Sequence, residues 1–177
     1  SPRVTNEDEL LLGHRLPILA RIPRMRRKSI HGFLSGRTEM PNRAWKGYRT
    51  LRAVLGTLGS DGSYPRSVMV TSATPGDGKT TTAVNLAITL ASANNRVILV
   101  DGDLHRPSVA TVFNVAAGRD GLIRLLMKRT TAESALVSAP AHPNLRLLLS
   151  GQDAYMGLNV TGERFRDMLD ELSAFAD

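Results

Sequence analysis

The sequence predicts an α/β domain, a parallel sheet with helices on both faces, preceded by a basic helical arm. Three stretches predict it. Ser67–Ser72 is an apolar, β-branched run that enters a glycine-containing loop and leaves it as an Ala/Leu-rich helical run to about Ala93. Arg96–Asp101 is a continuous apolar run ending in a carboxylate, the composition of a strand buried on both faces. Asn144–Ser150 is a second such run, and an amphipathic helical pattern follows from Thr161.

The loop reads Ala73-Thr74-Pro75-Gly76-Asp77-Gly78-Lys79-Thr80-Thr81. It fits the spacing of a phosphate-binding P-loop: Gly or Ala, four residues, Gly-Lys, then Ser or Thr. Gly76 and Gly78 allow positive φ and bring backbone N–H groups up to an anion, and the following helix adds its N-terminal amides. Lys79 is expected to reach the β- and γ-phosphates, the Thr80 hydroxyl to ligate Mg²⁺, and Thr81 to lie at the α-phosphate. Thr74 to Thr81 are thus the nucleotide-binding candidates. The competing reading is a Gly-rich turn that happens to precede a helix; the strand–loop–helix context weighs against it.

Length and composition frame the rest. A chain of 177 residues can bury a substantial core, and its apolar share of 42% is near the globular average. There is no cysteine, hence no disulfide framework and no thiolate metal site. The net charge of +7 is concentrated in the first 60 residues, where the run from Arg3 to Arg52 faces only Glu7, Asp8, Glu9 and Glu39. Such a segment suits an anionic partner (lipid, nucleic acid or an acidic protein face) or an ordinary solvated surface. No apolar run approaches a membrane span. A first residue of Ser1 rather than Met is expected of a piece cut from a longer chain. Residues 1–41 are read as a basic N-terminal segment and linker, and 42–177 as the P-loop domain, incomplete at its C-terminus.

Taken in order, Asn6–Leu12 reads as a short helix capped by Asn6, and Leu16–Pro23 as a short strand with prolines near its ends. Arg24–Pro41 is basic and aperiodic, a linker. A helix from Pro41 or Asn42 to about Leu58 carries an apolar stripe of Trp45, Tyr48, Leu51, Leu55 and Leu58, and a basic stripe of Arg43, Lys46, Arg49 and Arg52. The P-loop strand, its helix and the strand Arg96–Asp101 are expected to form a right-handed βαβ unit. Asp101, and Asp103 two residues on, then stand at the carboxyl end of a strand beside the P-loop strand, where open α/β sheets bind ligands. Asp101 is a candidate for the Mg²⁺ shell or for orienting the attacking group, with Asp103 assisting; the alternative is a polar strand end in a turn. His105 has no partner visible in sequence. Short helices are expected at Ser108–Phe113, Gly121–Lys128 and Thr131–Val137. A loop spans Gly151–Val160, and the helix capped by Thr161 places Phe165, Met168, Leu169, Leu172 and Phe175 on one face.

Two motifs together carry a family resemblance. Val70–Thr81 and Val100–Pro107 resemble the Walker A and Walker A′ pair of bacterial tyrosine kinases, the cytoplasmic modules of capsule and exopolysaccharide chain-length regulators, related to the MinD/ParA ATPases. Leu16–Pro23 and Tyr48–Arg52 are similar to stretches that precede the P-loop in that family, and the likeness runs on through Leu145–Gly151. MinD/ParA loops carry a signature lysine near their start; Ala73–Asp77 has none, which favours the kinase branch. His105 stands where the family usually has a basic residue, with Arg106 next to it. Lys46-x-x-Arg49-x-x-Arg52 stands where the family has the Glu-x-x-Arg-x-x-Arg of ring assembly. The family's Walker B strand and tyrosine-rich tail are expected beyond Asp177, and Tyr48, Tyr64 and Tyr155 form no cluster.

The resemblance implies an ATP-dependent tyrosine autokinase regulating capsular or exopolysaccharide synthesis and export, with ATP and Mg²⁺ as cofactors. Lys79, Asp101 and Asp103 are its expected catalytic residues, and Thr80 and Asp101 its metal ligands. It also implies homo-oligomers, a membrane-embedded chain-length regulator as partner, in the same polypeptide or a separate one, a place at the cytoplasmic face of the inner membrane, and no nucleic acid. Residues 1–177 alone are expected to be inactive. The alternative is a MinD/ParA-like ATPase acting as a nucleotide-dependent assembly switch.

Overall fold

The computed structural model describes residues 17–23, 42–58, 64–152 and 160–177. The expected helix Asn6–Leu12, the linker Arg24–Pro41 and most of the loop Gly151–Val160 lie outside these residues. The described elements are α1 (Asn42–Leu55), α2 (Lys79–Ala91), β1 (Val97–Val100), α3 (Val109–Phe113), α4 (Leu122–Leu126), α5 (Ala132–Ala135), β2 (Leu136–Ser138), β3 (Leu145–Leu148) and α6 (Gly162–Ser173).

The sheet has the order β1-β3-β2. β1 and β3 are parallel, with Leu99 opposite Leu147, whereas β2 runs antiparallel to β3, with Val137 opposite Leu147. Alternation along the strands divides the core into two layers. Val97, Leu99, Leu145 and Leu147 face α2 and α3, packing against Val84, Ile88, Val109 and Phe113. Ile98, Val100 and Leu148 face the other way, against Leu122, Leu125 and Leu126 of α4 and Met168 and Leu172 of α6. Helices therefore cover both faces, as the continuous apolar runs predicted.

Four expectations are corrected. The sheet is mixed rather than parallel, because Thr131–Val137 splits into the one-turn helix α5, capped by the Thr131 side chain, and the edge strand β2. Pro17–Pro23 has no strand assignment; it lies against α1, where Ile22 packs on Ala44 and Tyr48. Gly47 permits that approach, since a Cβ there would meet the Arg21 carbonyl at 2.8 Å. Ser67–Ser72 also has no strand assignment, so the βαβ unit with a P-loop strand beside β1 is not formed among the described residues. Apolar, β-branched composition favours extended backbone, but a strand also needs a hydrogen-bonded neighbour, and Met69 is 88% exposed.

The fourth concerns helix faces. Helix α1 ends at Leu55, leaving Leu58 54% exposed, and Phe165 on α6 is 46% exposed, so both leave their predicted stripes. The basic stripe is broken as well. Arg43, Lys46 and Arg49 are exposed, but Arg52 is half-buried and its Nη1 donates to the Thr89 carbonyl in the last turn of α2, at 3.4 Å. A cation belongs at a helix C-terminus, where unpaired carbonyls and the macrodipole attract it. Among the described residues no helix is long and apolar enough to cross a membrane.

Candidate functional site

The loop 73–78 is closed by its own side chains. The Asp77 carboxylate accepts from the Thr74 backbone N–H at 3.0 Å and from the Thr74 hydroxyl at 2.7 Å, and these bonds hold its pKa below the usual carboxylate value. Gly76 and Gly78 have φ of +88° and +97°. An added Cβ would find nothing within 4 Å at either, so glycine is required there for conformation rather than for space. Gly78 is the N-cap of α2, and the Thr82 N–H returns to its carbonyl at 2.8 Å. Lys79, Thr80 and Thr81 thus fill the first turn of α2. Lys79 Nζ donates to the Ser72 hydroxyl at 3.3 Å. Thr81 offers its carbonyl to the buried Asn85 side chain at 2.7 Å.

Asp101 continues the β1 ladder by one residue, its N–H donating to the Leu148 carbonyl at 2.9 Å. That pairing fixes its backbone at the carboxyl end of the strand. The residue is only 5% exposed. Its Oδ2 accepts from the backbone N–H groups of Ser108 and Val109, both at 2.9 Å. Burial pushes the Asp101 pKa up, and those amides oppose the shift. Asp103 is exposed and accepts from the Arg106 N–H at 3.0 Å, which closes the turn through His105.

The P-loop helix and the β1 terminus meet through Ser108, whose hydroxyl is 3.0 Å from that of Thr80. In the sequence Ser108 is only the start of a short helix. Nothing in its spacing showed that it touches both the metal-ligand candidate and the carboxylate. Ser72 likewise stands in the sequence only as the end of an apolar, β-branched run. A divalent cation at Thr80 and Asp101 would meet hard oxygen donors, with Asp103 in the adjoining turn. Among the described residues no cluster of His, Cys, Asp and Glu supplies a dedicated cage. Few protein oxygens, with substrate phosphates and water completing the shell, is the donor set that suits Mg²⁺. A separate open depression of about 440 Å³ beside the start of α6 contains none of these residues, and Lys128 on its wall already pairs with Asp167 at 2.7 Å.

Comparison with known proteins follows the same lines. A ParA family model, described as the NUBPL iron-transfer P-loop NTPase, matches residues 64–141. Tyrosine-protein kinase YwqD of Bacillus subtilis strain 168 is 41% identical over 104 residues, which is 59% of this chain and 43% of the relative. Tyrosine-protein kinase CpsD of Streptococcus pneumoniae serotype 4 is 29% identical over 120 residues, covering 66% of this chain and 51% of the relative. The chain therefore spans about half the length of these curated relatives. Among solved structures, the chimerical protein CapA2B2 superposes with a TM-score of 0.70 at 26% identity, covering 94% of this chain and 70% of that one.

Proposed function

We propose that this chain, which resembles bacterial tyrosine kinases and carries a ParA-related P-loop fold, is the nucleotide-binding part of an ATP-dependent protein-tyrosine autokinase that regulates capsular or exopolysaccharide synthesis and export. The observation that carries the reading is the identity of 41% over 104 residues with a protein named a tyrosine-protein kinase. It is supported by a loop whose two glycines hold positive φ directly before Lys79 and Thr80.

The residues divide the work by chemistry. The loop from Thr74 to Thr80 wraps the phosphates, which the backbone amides of Gly76 to Thr80 cradle, and Thr81 lies toward the α-phosphate. Lys79 exchanges its hydroxyl contact for β- and γ-phosphate oxygens, where charge accumulates during transfer. The Thr80 hydroxyl and the Asp101 carboxylate hold Mg²⁺, which when bound neutralises the phosphate oxygens. Asp101 also places the acceptor hydroxyl, with Asp103 assisting from the adjoining turn. The acceptor is a tyrosine of the same or a neighbouring copy. The working assembly is a homo-oligomer at the cytoplasmic face of the membrane, docked to a membrane-embedded chain-length regulator. Nucleic acid has no part in this reading.

Incubation of the full gene product with Mg²⁺–ATP, followed by anti-phosphotyrosine detection, tests the proposal. Signal is expected from the wild type and not from Lys79→Met or Asp101→Ala, and residues 1–177 by themselves are expected to stay unlabelled. ATP hydrolysis without any tyrosine label would replace the kinase reading by that of a MinD/ParA-like assembly switch.

A further inference from the structure

Ser108 has the sequence position of an ordinary helix N-cap, directly before α3. Serine at that place normally turns its hydroxyl onto an amide of the first turn. Here the Ser108 side chain makes no capping hydrogen bond. The Asp101 carboxylate takes over that task, accepting from the Ser108 and Val109 N–H groups. The hydroxyl so released points elsewhere and lies 3.0 Å from Thr80 Oγ1. Thr80 belongs to the first turn of α2 and Asp101 to the end of β1, and one residue touches both.

We propose that Ser108 is a positioning residue for Mg²⁺–nucleotide, acting through Thr80 and Asp101; the inference rests on the nucleotide-binding reading above. A hydroxyl that gives a lone pair to a cation must send its hydrogen to another acceptor. Ser108 Oγ is that acceptor. Bonded in this sense, Thr80 presents its oxygen to the cation with the hydrogen turned away. The Ser108 backbone holds the Asp101 carboxylate in the same register. Without the Ser108 hydroxyl, the Thr80 hydroxyl rotates freely and its hydrogen competes for the position the cation needs.

ADP affinity measured calorimetrically, once with Mg²⁺ and once with EDTA, separates this role from a merely structural one. The ratio of the two affinities is the readout. In Ser108→Ala the ratio is expected to fall about fivefold, the equivalent of one hydrogen bond of about 1 kcal/mol. Ser108→Thr, which keeps a hydroxyl, is expected to restore it. In a Thr80→Val background the Ser108→Ala change should have no further effect on the ratio, because the group it orients is gone. If the alanine variant does not fold, Ser108→Cys serves, being near in shape with a thiol that accepts weakly. A wild-type ratio in Ser108→Ala overturns the proposal, and so does a loss of affinity that is equal with and without Mg²⁺. A wild-type chain that binds ADP under neither condition defeats the nucleotide reading itself, and this inference with it.

Discussion

The Lys79 ammonium rests against the Ser72 hydroxyl at 3.3 Å, which ties the first residue of α2 to the last residue before the loop. The bond spans the whole P-loop and sets where its cation points. A neutral hydroxyl is readily exchanged for a phosphate oxygen, since an anionic acceptor adds charge–charge attraction to the ammonium's hydrogen bond.

Lys79→Met is therefore expected to remove the thermal response to nucleotide. At ligand concentrations about 100 times Kd, Mg²⁺–ADP should stabilise the wild type by about 2.7 kcal/mol. For a domain of this size that corresponds to roughly 5–10 °C in Tm. Differential scanning fluorimetry of the two proteins decides it, and equal shifts in both would refute the binding assignment.

Asp101 sits in a place that disfavours charge. Its folded-state pKa is raised by burial, so the folded chain binds this proton more tightly than the unfolded chain does. The group is harmless to stability below its unfolded value and costs stability as pH rises through the folded one. Asp101→Asn keeps an oxygen able to accept from Ser108 and Val109 but removes the charge. The variant should melt higher than wild type without ligand, by a margin that grows from acid toward neutral pH, while losing the Mg²⁺-dependent part of ADP binding. A lower Tm across that range would show that the carboxylate stabilises the fold instead.

Glycines in this chain serve two different physical needs. At Gly121 the backbone is extended, with φ of −178°, so conformation sets no demand. A Cβ there would lie 2.6 Å from both Gly151 N and the Leu149 carbonyl, backbone atoms at the end of β3. Gly121→Ala should force α4 away from the strand and cost about 1–3 kcal/mol, as overpacking does. Urea denaturation monitored by circular dichroism measures it. A variant as stable as wild type would mean that the α4–β3 junction yields freely.

The basic residues of α1 should separate by burial. Arg52 donates to Thr89 across the helix pair, whereas Arg49 is exposed. Arg52→Ala is expected to cost about 1 kcal/mol, one hydrogen bond with its packing, and Arg49→Ala to stay within about 0.5 kcal/mol. The same denaturation curves test this, and equal costs would return Arg52 to the exposed stripe.

In the core, Leu147 is fully buried at the centre of β3, between β1 and β2 and beneath α2. Leu147→Ala should cost about 3 kcal/mol, mostly through the cavity it leaves. A loss below 1 kcal/mol would show that the α2 face of the sheet can collapse around the gap.

Much of this protein was legible from residues alone, and for one reason. Where a requirement is local, sequence states it. Gly76 and Gly78 before Lys79 announce a loop with positive φ, the apolar runs at Val97 and Leu145 announce strands covered on both faces, and Thr131 and Thr161 announce helix starts. Each depends on a residue and its near neighbours in the chain. What the tertiary structure decided were questions of pairing. Ser67–Ser72 and Pro17–Pro23 have the composition of strands, but a ladder also needs the facing backbone. Leu136 and Val137 continue a helical pattern, yet they pair with β3 because that edge is available. Arg52 shares the periodicity of Arg49 and is distinguished only by the Thr89 carbonyl beside it. Ser108 reads as a cap, and becomes a bridge because Asp101, seven residues earlier at the end of β1, supplies the cap instead. Sequence sets what each segment can do, and packing sets which neighbour it does it with.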